Sequence, residues 1–261
     1  MNICQMLLKL FVVLLMFFLS HTVLGQPLFS AIDRPIVFVF GHPDDEVWIG
    51  GTMADLIHKG HEVHVVYVTS GSEKNLFMKY FTGPEDTNLK REHEAARSLR
   101  SLGISTAPIF LRYSHHNPGK QLIVIKDKLE TIFRKIDPSI VITFGPGGIT
   151  GHIDHIITGL SATNAVDQLP NIDYLLHIAI QTVRAATFNQ ISDQYDIHYK
   201  VKESAKVVSF SHDVSNYNEQ RIQSFQSHPS QFSSAMEKAF IEFLNQTNTE
   251  DLIIARKRTA N

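Results

Sequence analysis

The chain has 261 residues, 24 basic and 26 acidic side chains and a net charge of −2, with 43% hydrophobic residues. That is long enough for one domain with a sizeable core. Its near-neutral balance offers no electrostatic case for binding nucleic acid. The single cysteine, Cys4, precedes the apolar run Leu10–Leu19. That run is short for a membrane span, follows the lone Lys9 and ends before Val23-Leu24-Gly25, a tolerable cleavage site, so residues 1–25 read as a secretory signal. Cleavage would leave Gln26–Asn261 without a thiol, which excludes disulfides, thiolate ligands and a cysteine nucleophile. The expected location is periplasmic or secreted; an uncleaved segment would instead anchor the chain in a membrane.

From residue 36 onward, strand and helix signals alternate. Strands are expected at Ile36–Phe40, Val63–Val68, Ile109–Leu111 and Ile140–Phe144. Helices are expected at Gly50–Lys59, Leu89–Leu102, Leu122–Ile136 and Asp154–Val166. This order implies βαβ units and a mainly parallel α/β sheet in one domain. The right-handed crossover rule puts the loops that follow the strands on one edge. After Pro170 the pattern weakens to strand-like pieces at Ile178–Val183, His198–Val201 and Lys206–Phe210, then helices at Tyr217–Gln226 and Ser234–Leu244.

Two of the strands run into chemistry. Gly41-His42-Pro43-Asp44-Asp45-Glu46 follows the first, and Gly151-His152-Ile153-Asp154-His155 lies just past the fourth. Open α/β sheets bind ligands beyond the carboxyl ends of their strands. Acidic residues at a helix start account for one or two carboxylates. Three in a row beside a histidine repel one another unless a cation or a proton intervenes. Of the 14 histidines, His58, His61, His64, His93, His177, His198 and His212 carry no such company and read as surface or hydrogen-bonded residues. The pair His115 and His116 reads as a solvated loop.

Nitrogen and oxygen donors without sulfur suit zinc in an open catalytic site, though iron, manganese or cobalt could use the same set. A metal-dependent hydrolase fits both clusters. A non-haem iron oxygenase would use two histidines and one carboxylate and leave the surplus acid idle. A non-catalytic carbohydrate- or metal-binding protein on the same fold would need no base.

Taken together, several motifs resemble the PIG-L/LmbE-like de-N-acetylases. They are Gly41–Glu46 with Gly50-Gly51, Thr69-Ser70-Gly71, Arg91-Glu92, Thr143–Pro146, Gly151–His155 and His228–Gln231. The resemblance spans roughly residues 35–232. It implies a Rossmann-like fold with helices on both faces of the sheet and zinc-dependent removal of acetyl from an N-acetylglucosaminyl group or related conjugate. It also implies His42, Asp45 and His155 as metal ligands, Asp44 as general base, His152 assisting the tetrahedral intermediate and Asp154 orienting an imidazole. Ser230-Gln231 matches a C-terminal motif of the same family and is expected to hold the active-site loops, while Glu46 is read as supporting its loop and not as a reacting group. Arg91 is read either as a surface-helix residue or as a partner of an acid or substrate, and Trp48 and Phe144 as core or pocket wall. Three positions depart from the pattern. Ile153 replaces a common proline, Thr150 replaces a tyrosine that some members direct at the oxyanion, and Ser114-His115-His116 replaces a stretch with an aspartate near the sugar. Neither the natural substrate nor the oligomeric state follows from the sequence.

Overall fold

The computed structural model describes residues 26–30, 32–71, 83–113, 118–202 and 204–258. The signal-sequence reading of residues 1–25 and the Ser114-His115-His116 stretch lie outside the described residues. Seven strands form one sheet: β1 (Ile36–Phe40), β2 (Val63–Tyr67), β3 (Ile109–Phe110), β4 (Ile140–Phe144), β5 (Tyr174–Ala179), β6 (Phe210–Asp213) and β7 (Thr249–Lys257). Their order is β3-β2-β1-β4-β5-β7-β6. The first five run parallel, and β7 pairs antiparallel with both β5 and β6.

The helices are α1 (Gly50–His58), α2 (Gly83–Ser101), α3 (Pro118–Ile136), α4 (Ile153–Asp167), α5 (Thr182–Gln194), α6 (Asn218–Gln226) and α7 (Ser234–Gln246). All of β1 and β4 is buried, as runs of β-branched and aromatic residues in central parallel strands should be. Alternation divides their side chains between two faces. Ile36, Phe38, Phe40, Ile140, Ile142 and Phe144 pack with residues of α1, α2, α5, α6 and α7, whereas Val37, Val39 and Val141 pack with residues of α3 and α4. Among the described residues, no helix is long and apolar enough to cross a membrane.

Gly159 brings α4 against β4. A Cβ there would lie 2.3 Å from the Phe144 carbonyl oxygen. Gly159→Ala gains about 1 kcal/mol in helix propensity but drives a methyl into backbone, and overpacking costs roughly 1–3 kcal/mol. The clash should win, because a main-chain oxygen cannot swing away as a side chain does. We expect a melting temperature a few degrees lower; an unchanged or higher value would contradict the contact.

The C-terminal third departs from the sequence reading. The apolar run expected as a strand at Ile178–Val183 is the end of β5 followed by the start of α5. His198–Val201 forms no strand, and Lys206–Phe210 only reaches β6 at its last residue. The long strand β7 has no counterpart in that reading. It carries Glu250 and Asp251 into the interior, where the Glu250 oxygens accept the Gly51 and Thr52 N–H groups at 3.0 and 2.7 Å. A carboxylate at the first turn of α1 is favoured by the exposed amides of that helix end.

Candidate metal centre

The sheet order reverses between β1 and β4, which lie side by side while their chain connections run to opposite edges. Such a switch point opens a crevice at the strand ends. The loop after β1 carries His42 to Glu46, with Asp45–Trp48 as a single 3-10 turn. The loop after β4 ends in His152, which caps α4; His152 Nδ1 accepts the Asp154 N–H at 3.2 Å, and His155 follows in the first helical turn.

All six expected residues meet in this crevice. His155 Nε2 lies 3.0 Å from Asp45 Oδ1 and 3.3 Å from His42 Nδ1. The distance from His42 Nδ1 to Asp45 Oδ2 is 3.6 Å. The remaining atoms of the two imidazoles are tied from behind: His42 Nε2 to Asp154 Oδ2 at 3.0 Å, and His155 Nδ1 to the Gly148 carbonyl at 2.9 Å. Gly148 has φ +62°, and a Cβ there would press to 2.8 Å on His155 Cβ, so only glycine presents this carbonyl without strain. Phe144, fully buried, stacks on the His155 ring at 4.2 Å. It is core packing and not a pocket wall.

This donor set fits a divalent cation. His42 Nδ1, His155 Nε2 and the Asp45 carboxylate approach one another within 3.6 Å, and hydrogen bonds behind the two imidazoles fix their orientations, as in metal sites generally. Without an ion, the crowded groups perturb one another. Burial opposes protonation of His42, but its hydrogen bonds to Asp154 and Asp45 outweigh that and push it up to about 9. Burial would also raise Asp45, yet the neighbouring His155 and His42 hold it well below the usual carboxylate range. Among the described residues, ligand atoms of His42, His152 and His155 lie within 4.8 Å of one another, and so do those of His42, Asp44 and Asp45.

Asp44 adjoins this knot but is held by a different partner. Its backbone is at φ 129°, its Oδ2 accepts from Arg91 at 3.2 Å, and burial pushes its carboxyl up against the opposing pull of Arg91. Arg91 also donates to the Gly71 and Pro43 carbonyls, so it pairs with an acid of the site and is no surface residue. Glu46 turns away from the crevice. Its carboxylate accepts from Tyr67 at 2.8 Å, from His228 Nε2 at 2.7 Å and from the Asp44 N–H at 3.2 Å. Ser230 and Gln231 are held by buried Glu94.

A pocket of about 310 Å³ opens over the cluster, lined by His42, Asp44, Asp45, His152 and His155, by Arg91, Ser230 and Gln231, and by an aromatic side that includes Trp48, Tyr199, Phe232 and Phe240. The sequence carried no signal for Tyr199 or Phe240. Their segments have no motif, and only the fold returns them to the β1 and β4 loops.

A family model described as GlcNAc-PI de-N-acetylase, PIG-L, matches residues 37–166. A 1D-myo-inositol 2-acetamido-2-deoxy-alpha-D-glucopyranoside deacetylase of Corynebacterium diphtheriae is 34% identical over 140 residues, covering 46% of this chain and 48% of that protein. The chain thus spans about half the length of such curated relatives. Among solved structures, the N,N'-diacetylchitobiose deacetylase of Pyrococcus horikoshii aligns with a TM-score of 0.65 at 20% identity, over 94% of this chain and 91% of that one. The 4-carboxy-2-hydroxymuconate hydratase GalB of Pseudomonas putida aligns with a TM-score of 0.62 at 14% identity, over 88% and 99%. A deacetylase and a hydratase share this architecture, so the structural likeness speaks for the fold and not for the reaction. The family match, the β1 and β4 loop motifs and the shared α/β architecture agree: the chain belongs to the PIG-L family.

Proposed function

We propose that this chain is a metal-dependent amidohydrolase that removes acetyl from an N-acetylglucosaminyl group or a related N-acetylated sugar conjugate. The observation that carries the reading is a three-residue knot of His42, Asp45 and His155 with a further half-buried carboxylate, Asp44, lining the same pocket. His42 Nδ1, His155 Nε2 and Asp45 would hold the ion, zinc being the best match to two nitrogens, one oxygen and no sulfur. When bound, such an ion acidifies water and polarises an amide carbonyl.

The protein groups then divide the proton work. Asp44 takes the proton of the attacking water and returns it to the departing amine as the C–N bond breaks, releasing acetate and the free amine. Arg91 keeps the Asp44 carboxylate turned into the pocket. His152 donates toward the acyl oxygen as charge builds there. Asp154, hydrogen-bonded to His42 Nε2, keeps the proton on that nitrogen and Nδ1 free to coordinate. A facial-triad oxygenase or a sugar-binding protein has no use for Asp44, which favours hydrolysis over both.

Acetate release from a panel of N-acetylated sugars and glycosides, with chelated and zinc-restored protein, tests the reading. Release that stops on chelation and returns with zinc is expected; no acetate from any member of the panel by metal-replete protein would reject it. Asp154→Asn should lower metal affinity by about 10–100-fold, measured by competition with a chromophoric chelator. Unchanged affinity would remove Asp154 from the scheme.

A further inference from the structure

Thr150 and Tyr199 line the pocket together, and neither has a role in the scheme above. Thr150 belongs to a turn bent by its neighbour. Ile149 adopts φ 62° and ψ −60°, a conformation that a β-branched residue holds only when its surroundings enforce it. Thr150 is buried, and its Oγ1 makes no hydrogen bond among the described residues. A buried hydroxyl left unsatisfied costs about 1–3 kcal/mol, a cost that a ligand oxygen would remove.

Tyr199 is fixed next to it from another part of the chain. Asn189 clamps Val201, accepting its N–H at 2.8 Å and donating to its carbonyl at 3.0 Å. The Lys202 N–H donates to the Ile149 carbonyl at 2.9 Å, tying the segment to the same bent turn. The Tyr199 ring stacks with Trp48 at 6.4 Å and meets Phe188 edge-on at 6.2 Å. The residue is 38% exposed overall and forms part of the pocket wall. Burial, then the charges of Asp45 and Asp44, push the phenol far above its ordinary value against weaker opposing effects of Thr150 and Trp48, so it remains a donor. Tyr199 and Thr150 line the same pocket as Asp44 and Asp45.

We propose that Tyr199 and Thr150 form a hydroxyl pair that hydrogen-bonds the acyl oxygen of the substrate as it becomes anionic, which makes Tyr199 a catalytic residue. This rests on the amide hydrolysis proposed above. When the water oxygen adds to the acyl carbon, the C=O π pair moves onto the acyl oxygen, and both hydroxyls donate to it without surrendering a proton. The pair returns to the carbon as the C–N bond breaks, and Asp44 delivers the proton to nitrogen.

Tyr199→Phe keeps the ring and its packing and removes only the donor. With metal content verified by elemental analysis, it should lower kcat about 10²-fold, the usual loss for one oxyanion donor, with KM nearly unchanged. Thr150→Val should show the same pattern with a smaller loss. An activity-free readout uses methylphosphonate, whose tetrahedral anionic oxygens resemble the intermediate, titrated against the fluorescence of Trp48, the only tryptophan in the chain. A hydrogen bond to a charged group is worth about 1.5–3 kcal/mol, so Tyr199→Phe should weaken methylphosphonate at least tenfold. If the wild type releases no acetate but still binds methylphosphonate tenfold better than Tyr199→Phe, the hydroxyl pair stands and the hydrolytic reading falls. A normal kcat with equal methylphosphonate affinity in the variant, a change in KM alone, or a wild type that does not bind methylphosphonate overturns the hydroxyl pair.

Discussion

Asp44→Asn is expected to retain its full complement of metal and to turn over about 10²–10⁴ times more slowly, the usual contribution of a positioned proton-transfer group. Asp45→Asn is expected to lose metal instead. An amide oxygen is a weaker donor than a carboxylate and brings no charge to offset a divalent cation. The two residues are adjacent, and each change replaces one oxygen by an NH₂ group, so general disturbance of the loop would affect both alike. The surroundings explain why they should differ. Asp45 Oδ1 lies 3.0 Å from His155 Nε2, whereas Asp44 Oδ2 is held by Arg91. Asparagine also tolerates the positive φ of position 44 about as well as aspartate does. Elemental analysis alongside single-turnover rates separates the outcomes. Equal metal loss in both variants, or near-normal turnover in Asp44→Asn, would reassign the carboxylates.

The second large effect concerns stability. His228 and Glu46 form a pair with no exposed side-chain surface, Nε2 to Oε1 at 2.7 Å. Burial alone would raise Glu46 and lower His228, yet each outweighs that penalty for the other, so Glu46 is held down and His228 up. His228→Ala leaves the Glu46 carboxylate buried without a cationic partner, beside the neutral donors Tyr67, Ser98 and the Asp44 N–H, and removing one partner of a buried pair costs roughly 3–5 kcal/mol. For a chain of this size that is a fall of about 10 °C in melting temperature. A shift smaller than about 2 °C would mean that Glu46 takes up a proton or finds another partner at little cost.

How much of this was legible beforehand depended on how local the signal was. Ile36–Phe40 and Ile140–Phe144 matched the strands residue for residue, because a short β-branched run bounded by turn residues has few other uses. The loop clusters were legible for a related reason: acids packed beside histidines are costly without a cation. The C-terminal third was harder. In α5 the buried positions are Ala185, Phe188, Ile191 and Ser192, too small and too polar a stripe to announce a helix. In β7, Glu250 and Asp251 argue against a buried strand until their partners are known, and those partners, Gly51, Thr52, Gln181, Arg184 and Ser211, are 40 to 199 positions away. Thr150 was correctly read as offering no phenol of its own. That Tyr199 reaches the same pocket from a motif-free segment could be seen only once the chain had folded.

Where the parts of the pocket come from along the chain has a consequence for how proteins of this kind diversify. The six residues assigned to the metal and the proton lie between positions 42 and 155, on two loops of the parallel half of the sheet. Tyr199, Ser230, Gln231, Phe232, Met236 and Phe240 all follow residue 195 and line the same pocket from outside that half. The metal and proton groups are therefore inherited from one stretch of sequence and much of the substrate-facing wall from another, with Tyr199 the one reacting group drawn from the later stretch. A lineage can exchange its later segments, and with them the amides it accepts, without touching the metal ligands or the base, provided the new segment brings a donor in place of Tyr199. A chimera that grafts the later segment of a relative onto Ile36–Asp167 should acquire the donor's substrate preference and keep the recipient's metal.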